Sequence, residues 1–132
     1  MRTYEVRDWL KTLDVAAFYY SGKIDKEQEK AVCVYDDRMD GSDMSVSIGG
    51  EAYTKTHTFK ATAILQWTEE PRETEDAGYD FVKKLKAVRD GEQFYIGSHK
   101  VTGLSVGKNV YLGTNENGLC QRVIYFDIKY SD

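Results

Sequence analysis

Acidic residues crowd one stretch of the chain, the run DDRMDGSDMSVS at 36–47. It has the outline of a calcium loop: with Asp36 at position 1, Asp40 falls at 5, Gly41 at 6 and Ser42 at 7. Position 3 is then Arg38 and position 12 is Ser47. A cation among the ligands, and no bidentate acid at the end, remove two of the groups that calcium needs. The histidines, His57 and His99, belong to no H–x–x–x–H pair and no HExxH helix. A general base also needs a nucleophile and an orienting partner, and no G–x–S–x–G elbow offers one. The cluster EEPRETED at 69–76 could pair carboxylates for acid–base work. Acids opening a helix already have a role, offsetting the positive end of its dipole and its unpaired N–H groups. Phosphate-cradling glycine motifs are absent, and Gly103, Gly107, Gly113 and Gly118 are spaced for turns. Cys33 and Cys120 are too few for a disulfide framework and form no Cys–x–x–Cys zinc spacing. Both lie in apparent strands, where a thiol acts as a small buried hydrophobe, so no disulfide is expected. The chain reads as a non-enzyme, with no metal and no cofactor.

Those residues must be positioned by a small fold. At 132 residues the chain is expected to be a single domain, 1–132. It is 41% hydrophobic, with ten tyrosines, five phenylalanines and two tryptophans, which is ample core material and argues against disorder. No apolar run approaches the ~18 residues of a membrane span. The opening MRTYEVRDWL lacks the apolar middle of a signal peptide, so secretion is not expected. The net charge of −4 is local: Asp36, Asp37, Asp40, Asp43 and Glu51 stand against Arg38, leaving 17 acids and 17 bases elsewhere. A protein that grips nucleic acid electrostatically usually has a basic excess, which is missing here.

Periodicity supplies the elements. Val6, Trp9, Leu10 and Leu13 follow i, i+3, i+4, i+7 and predict a helix over 3–13. The β-rich runs 16–21 and 30–36 are expected to pair as antiparallel neighbours. Residues 37–53 keep no period and predict a long polar loop with a short strand near 45–48. In 55–68, Phe59, Ala61, Ala63, Leu65 and Trp67 share one face, and Thr58, Lys60, Thr62 and Gln66 the other, with Ile64 an apolar exception on the outer side. A second helix is expected over 71–90, capped by Thr68, with Pro71 in its first turn and Gly91 as a left-handed terminator. Ala77, Phe81, Leu85 and Val88 make its buried stripe, widened by Gly78 and Val82. Strands are expected at 93–96 and 100–106, around a Gly97–Ser98 turn, with 109–112 a candidate for another; 103–118 is otherwise a second long polar loop. Asn117–Gly118 signals a hairpin into a final strand, 119–130. The predicted core is Phe59, Leu65, Trp67, Phe81, Leu85, Ile124, Phe126 and Ile128. Because helices and strands do not alternate strictly, the class is α+β: a mainly antiparallel, mixed sheet with two helices packed on one face.

The order of short motifs resembles the minor capsid or tail terminator proteins of siphophages and prophages. The carrying residues are Tyr20-Ser21-Gly22-Lys23-Ile24-Asp25, then Lys30-Ala31-Val32-Cys33-Val34-Tyr35 and Ile48-Gly49-Gly50. They continue with Ile64-Leu65-Gln66-Trp67 leading into Arg72-Glu73-Thr74-Glu75, and end with Gly113-Thr114-Asn115-Glu116-Asn117-Gly118 before a hydrophobic strand. The resemblance spans nearly the whole chain and rests on order and spacing. It implies a lambda-type terminator fold without a cofactor. It implies a hexameric ring of this chain that caps the tail tube, contacts the major tail tube protein and a head-completion (stopper) protein, and lets DNA pass unbound. The place implied is the head–tail joint of the virion, with the host cytoplasm during assembly and no membrane. Another head–tail connector or a tail-tube subunit shares this size and class; a small ligand-binding domain or enzyme is the remaining alternative. Asp36, Asp37, Asp40 and Asp43 would suit a lumen-facing loop that repels phosphates; they suit a solvated connector equally.

Overall fold

The computed structural model describes residues 1–36, 44–46 and 55–131. Among these residues two helices and seven strands run in the order α1 (Thr3–Leu13), β1 (Phe18–Ser21), β2 (Ala31–Asp36), β3 (Met44–Val46), β4 (Lys55–Gln66), α2 (Pro71–Arg89), β5 (Tyr95–Ile96), β6 (His99–Thr114) and β7 (Cys120–Ser131). The strands form one mixed sheet ordered β1-β2-β4-β7-β6-β5, with β3 also pairing β4. The α+β class with helices on one face is what the structure contains.

Each element buries the side that its period marks. On β4 the inward residues are Phe59, Ala61, Ala63 and Leu65; on β7 they are Ile124, Phe126, Ile128 and Tyr130. Val32 and Val34 join them from β2. Over this face α1 lays Val6, Trp9 and Leu10, and α2 lays Thr74, Gly78, Phe81 and Leu85. The α2 stripe therefore runs 74-78-81-85, and Ala77 and Val88 fall to its margins, half-buried. Thr74 is buried despite its polarity because its hydroxyl donates to the Glu70 carbonyl at 3.1 Å. Trp67, one residue beyond β4, is half-buried against the core rather than inside it.

The helix ends differ in part from expectation. The N-cap of α2 is Glu70, whose Oε1 accepts from the Arg72 N–H at 3.4 Å. Thr68 sits one step outside, accepting from the Glu70 N–H and donating to Glu73 Oε2. Asp90 closes the helix in a right-handed conformation. Gly91 is not among the positive-φ glycines, so it is no left-handed terminator. That conformation appears instead at Asp14, φ 54°, which ends α1 and whose carbonyl accepts from Lys84 Nζ of α2 at 2.6 Å.

Two larger expectations are overturned. First, β1 and β2 pair in parallel, Phe18 opposite Ala31 and Ser21 opposite Val34. The chain turns at Gly22, φ 76°, and residues 23–30 travel back along the sheet. Gln66 holds that return path: its amide donates to the Asp25 and Gln28 carbonyls, both at 2.8 Å. Gln66 is fully buried for this reason, although its strand register puts it on the outer face. Second, the 103–118 segment is not a loop. β6 continues to Thr114, and only the turn at 115–119 leaves the ladder. Register shifts at Val101/Gly103, Val106/Asn109 and Tyr111/Gly113 each place an extra residue in β6. A bulge resets the alternation of side chains and bends the strand, so a 16-residue strand shows no sustained period of two. The glycines serve these bulges as well as turns: a Cβ on Gly107 would stand 3.0 Å from the Tyr125 carbonyl oxygen. The hairpin signals hold. Gly97 (φ 61°) turns β5 into β6, and Gly118 (φ 81°) turns β6 into β7.

Candidate assembly surface

The acidic stretch is only partly within the described residues. Asp36 ends β2 opposite Ala61, half-buried, and lines a shallow cleft with Met1, Arg2, Tyr4, Ser21 and Gly22. Asp37, Asp40 and Asp43 lie outside the described residues, as does the rest of the 37–53 loop apart from β3. What is described is the loop's frame. β2 pairs with 61–66 of β4 and β3 with 55–57, while β7 occupies the whole opposite edge. The chain thus leaves one edge of β4 after Asp36 and rejoins the same edge at Met44.

The two histidines, separate in sequence, meet at one ring. His57 stacks on Tyr130 with ring centroids 5.1 Å apart, and His99 meets it edge-on at 5.0 Å. His99 Nε2 lies 3.5 Å from Glu5 Oε2. The other oxygen of Glu5 accepts from the Arg2 N–H at the start of α1, and the Met1 ammonium donates to the Tyr130 hydroxyl at 3.0 Å. Glu5 also abuts the Gly97 turn, where an added Cβ would collide with its carboxylate. These contacts tie the N-terminus and α1 to the ends of β4, β6 and β7. Both cysteines are free and buried. Burial pushes the Cys33 thiol above its ordinary range, which disfavours the nucleophilic thiolate. The acids of 69–76 include the α2 cap, Glu70, and the Thr68 partner, Glu73. Among the described residues no group of three or more His, Cys, Asp or Glu could hold a metal.

A polar hub, missed by pattern reading, sits at the opposite end of β4. Gln66 Oε1 accepts from Asn115 Nδ2 and Gln121 Nε2, both at 3.0 Å, so all its bonding capacity is used. Asn115 Nδ2 also donates to the Lys26 carbonyl, while its Oδ1 accepts from the Asn117 and Leu119 N–H groups. One glutamine and one asparagine thus fix the 22–30 return path and the β6–β7 turn together.

Among the described residues the sheet has two borders without a strand partner. β5 pairs β6 at His99 and Lys100, and among the described residues no strand pairs the β6 edge beyond Val101 on that side. This stretch presents Val110, Tyr111 and Leu112, at 41%, 45% and 50% exposure. At the other border β1 pairs only β2 and exposes Phe18 at 45%. The broad face away from the helices carries Thr58, Lys60 and Thr62 of β4 beside Tyr125, Asp127 and Lys129 of β7, with Lys60 directly opposite Asp127. Ile64 lies on this face between Cys33 and Val123, both buried, which accounts for an apolar residue in a polar register.

No family model matches the chain. No curated protein matches it in sequence. Among 21 matching chains of solved structures, one comes from the virion of a native gene transfer agent particle. It superposes with a TM-score of 0.55 at 12% identity, covering 93% of this chain and 84% of its own. At that identity the likeness is one of fold. It extends over 93% of this chain.

Proposed function

We propose that this chain is a structural protein of a phage-like particle, working by assembly rather than catalysis. The observation that carries the reading is the fold shared, over 93% of the chain, with a component of a gene transfer agent virion. The ordered motifs from Tyr20 to Gly118 narrow it to a tail terminator at the head–tail joint. Copies of the chain would close into a ring, of six in the resembled family, on the end of the tail tube. The ring would stop elongation, meet the head-completion protein and leave a channel for DNA. Closure by rotation requires two different contact patches on each subunit. A DNA conduit should not hold its cargo, and net charge −4 suits passage better than binding. The test is genetic removal from a phage or prophage that carries the chain. Without it, tails should be over-long and unattached to heads. Tails of normal length that fail only to join heads would assign it to another connector role, and normal, joined tails would overturn the reading.

A further inference from the structure

We propose that Asn117 is a modification site: its side-chain amide is lost spontaneously to attack by the Gly118 nitrogen, and the contact of the β6–β7 turn with Lys26 sets the rate. Glycine after asparagine favours this reaction, because it has no side chain to hinder ring closure and reaches backbone conformations closed to other residues. Asn117–Gly118 is the one such pair in the sequence; Asn109 and Asn115 precede Val110 and Glu116. Both Asn117 and Gly118 are exposed, so solvent reaches them. Water is the only co-reactant. The Gly118 nitrogen gives its proton to solvent and bonds to Asn117 Cγ. The Cγ–Nδ2 bond breaks, and that nitrogen takes up a proton and leaves as ammonia. Water then opens the cyclic imide at either carbonyl. One opening leaves aspartate at 117; the other leaves isoaspartate, with the main chain running through Cγ. One water is consumed and one ammonia released, with no change of oxidation state.

The fold engages both reacting groups. Asn117 Nδ2 donates to the Lys26 carbonyl at 3.0 Å, and the Gly118 N–H donates to the Asn115 carbonyl, also at 3.0 Å. Ring closure must break both bonds. The leaving amide has to turn away from Lys26, and a deprotonated Gly118 nitrogen would face a carbonyl oxygen with no proton between them. The dock is shared with the polar hub: Asn115 Nδ2 donates to the same Lys26 carbonyl, and the Gln66 amide holds the carbonyls of Asp25 and Gln28 on either side of it. Loosening 22–30 therefore frees the Asn117 amide and leaves the turn without outside support. The change runs one way. A carboxylate at 117 has no donor to return to the Lys26 carbonyl. Isoaspartate lengthens a turn in which Asn115 Oδ1 accepts from both the Asn117 and Leu119 N–H groups.

Mass spectrometry of the chain aged in mildly alkaline buffer tests this, with amide loss mapped to each asparagine by peptide digestion. A synthetic peptide of residues 113–121, which has no Lys26 to dock on, gives the unprotected rate. Amide loss in the folded chain should fall at Asn117 and be several-fold slower than in the peptide. Gln66→Leu, which unties the 22–30 path, should raise the rate at Asn117 several-fold above the parent. If that variant does not fold, the parent in urea below its unfolding midpoint should show the same rise. Asn117→Gln should abolish the product. The aged chain, separated from the parent by ion exchange, should show faster amide hydrogen exchange in 22–30. Equal rates in the folded chain and the peptide would overturn the role of the Lys26 contact. Earlier loss at Asn109 or Asn115 would overturn the site. So would a folded chain that keeps its Asn117 amide even when 22–30 is loosened, while the peptide loses its own.

Discussion

Phe81 is fully buried on α2, with its ring 6.2 Å from that of Phe126 on β7. Truncating it removes a large apolar side chain and leaves a cavity between helix and sheet, so Phe81→Ala is predicted to cost about 3–5 kcal/mol in denaturant unfolding. The sequence pattern was enough to place Phe81, because a helical stripe and an alternating strand both mark their buried side. Gln66 was not legible in that way. Its register is outward, and only the parallel return of 22–30 over that end of the sheet buries it. Replacing it with leucine would strip Asn115 Nδ2 of one acceptor and the Asp25 and Gln28 carbonyls of a donor. Each buried group so orphaned costs roughly 1–3 kcal/mol; Gln66→Leu should therefore destabilise the chain and speed amide exchange in 22–30. Tyr35 gives a pH signature. Burial, with a lesser contribution from Cys33, raises its phenol from 10.0 to about 12. The unfolded chain thus releases that proton first, and stability should fall as pH rises from about 10 towards 12. Tyr35→Phe should flatten that part of a stability–pH profile; an unchanged slope would assign it to other groups.

At the scale of elements, the regular pieces were readable and the irregular ones were not. α1 and α2 lie within a residue of their expected bounds because each carries a long 3.6-residue stripe. β6 hid behind its three bulges, each of which reverses the inward and outward sense of the residues that follow. The β1–β2 direction was missed for a different reason. A short polar connection usually means a hairpin, whereas here Gly22 and the Gln66–Asn115 hub return it to the starting end. The bulge at Gly107 makes a specific demand. With the Tyr125 carbonyl oxygen 3.0 Å from any Cβ there, the neighbouring strand must shift to admit a side chain. Gly107→Ala is predicted to cost about 1–3 kcal/mol, read as a lower urea midpoint. A midpoint equal to that of the parent would mean that the β6–β7 ladder yields easily at this bend.

For the whole molecule, the candidate site was the least legible part. The sequence directed attention to the acids of 36–43, of which only Asp36 lies within the described residues, at the end of β2 beside the start of α1. The sheet's borders at β1 and β6 are another such feature, since a border is defined by what fails to pair with it. No single residue announces that; it follows only once the strand order is known. The histidines follow the same logic, unremarkable at 57 and 99 and joined only when β4, β6 and β7 lie side by side on Tyr130. In the proposed role, many copies of this fold close a tail tube. Electron cryomicroscopy of the neck of a particle that carries the chain tests it most directly. This fold should appear as a closed ring at the head-proximal end of the tube. The same fold repeated along the length of the tube, or absent from the neck, would contradict it.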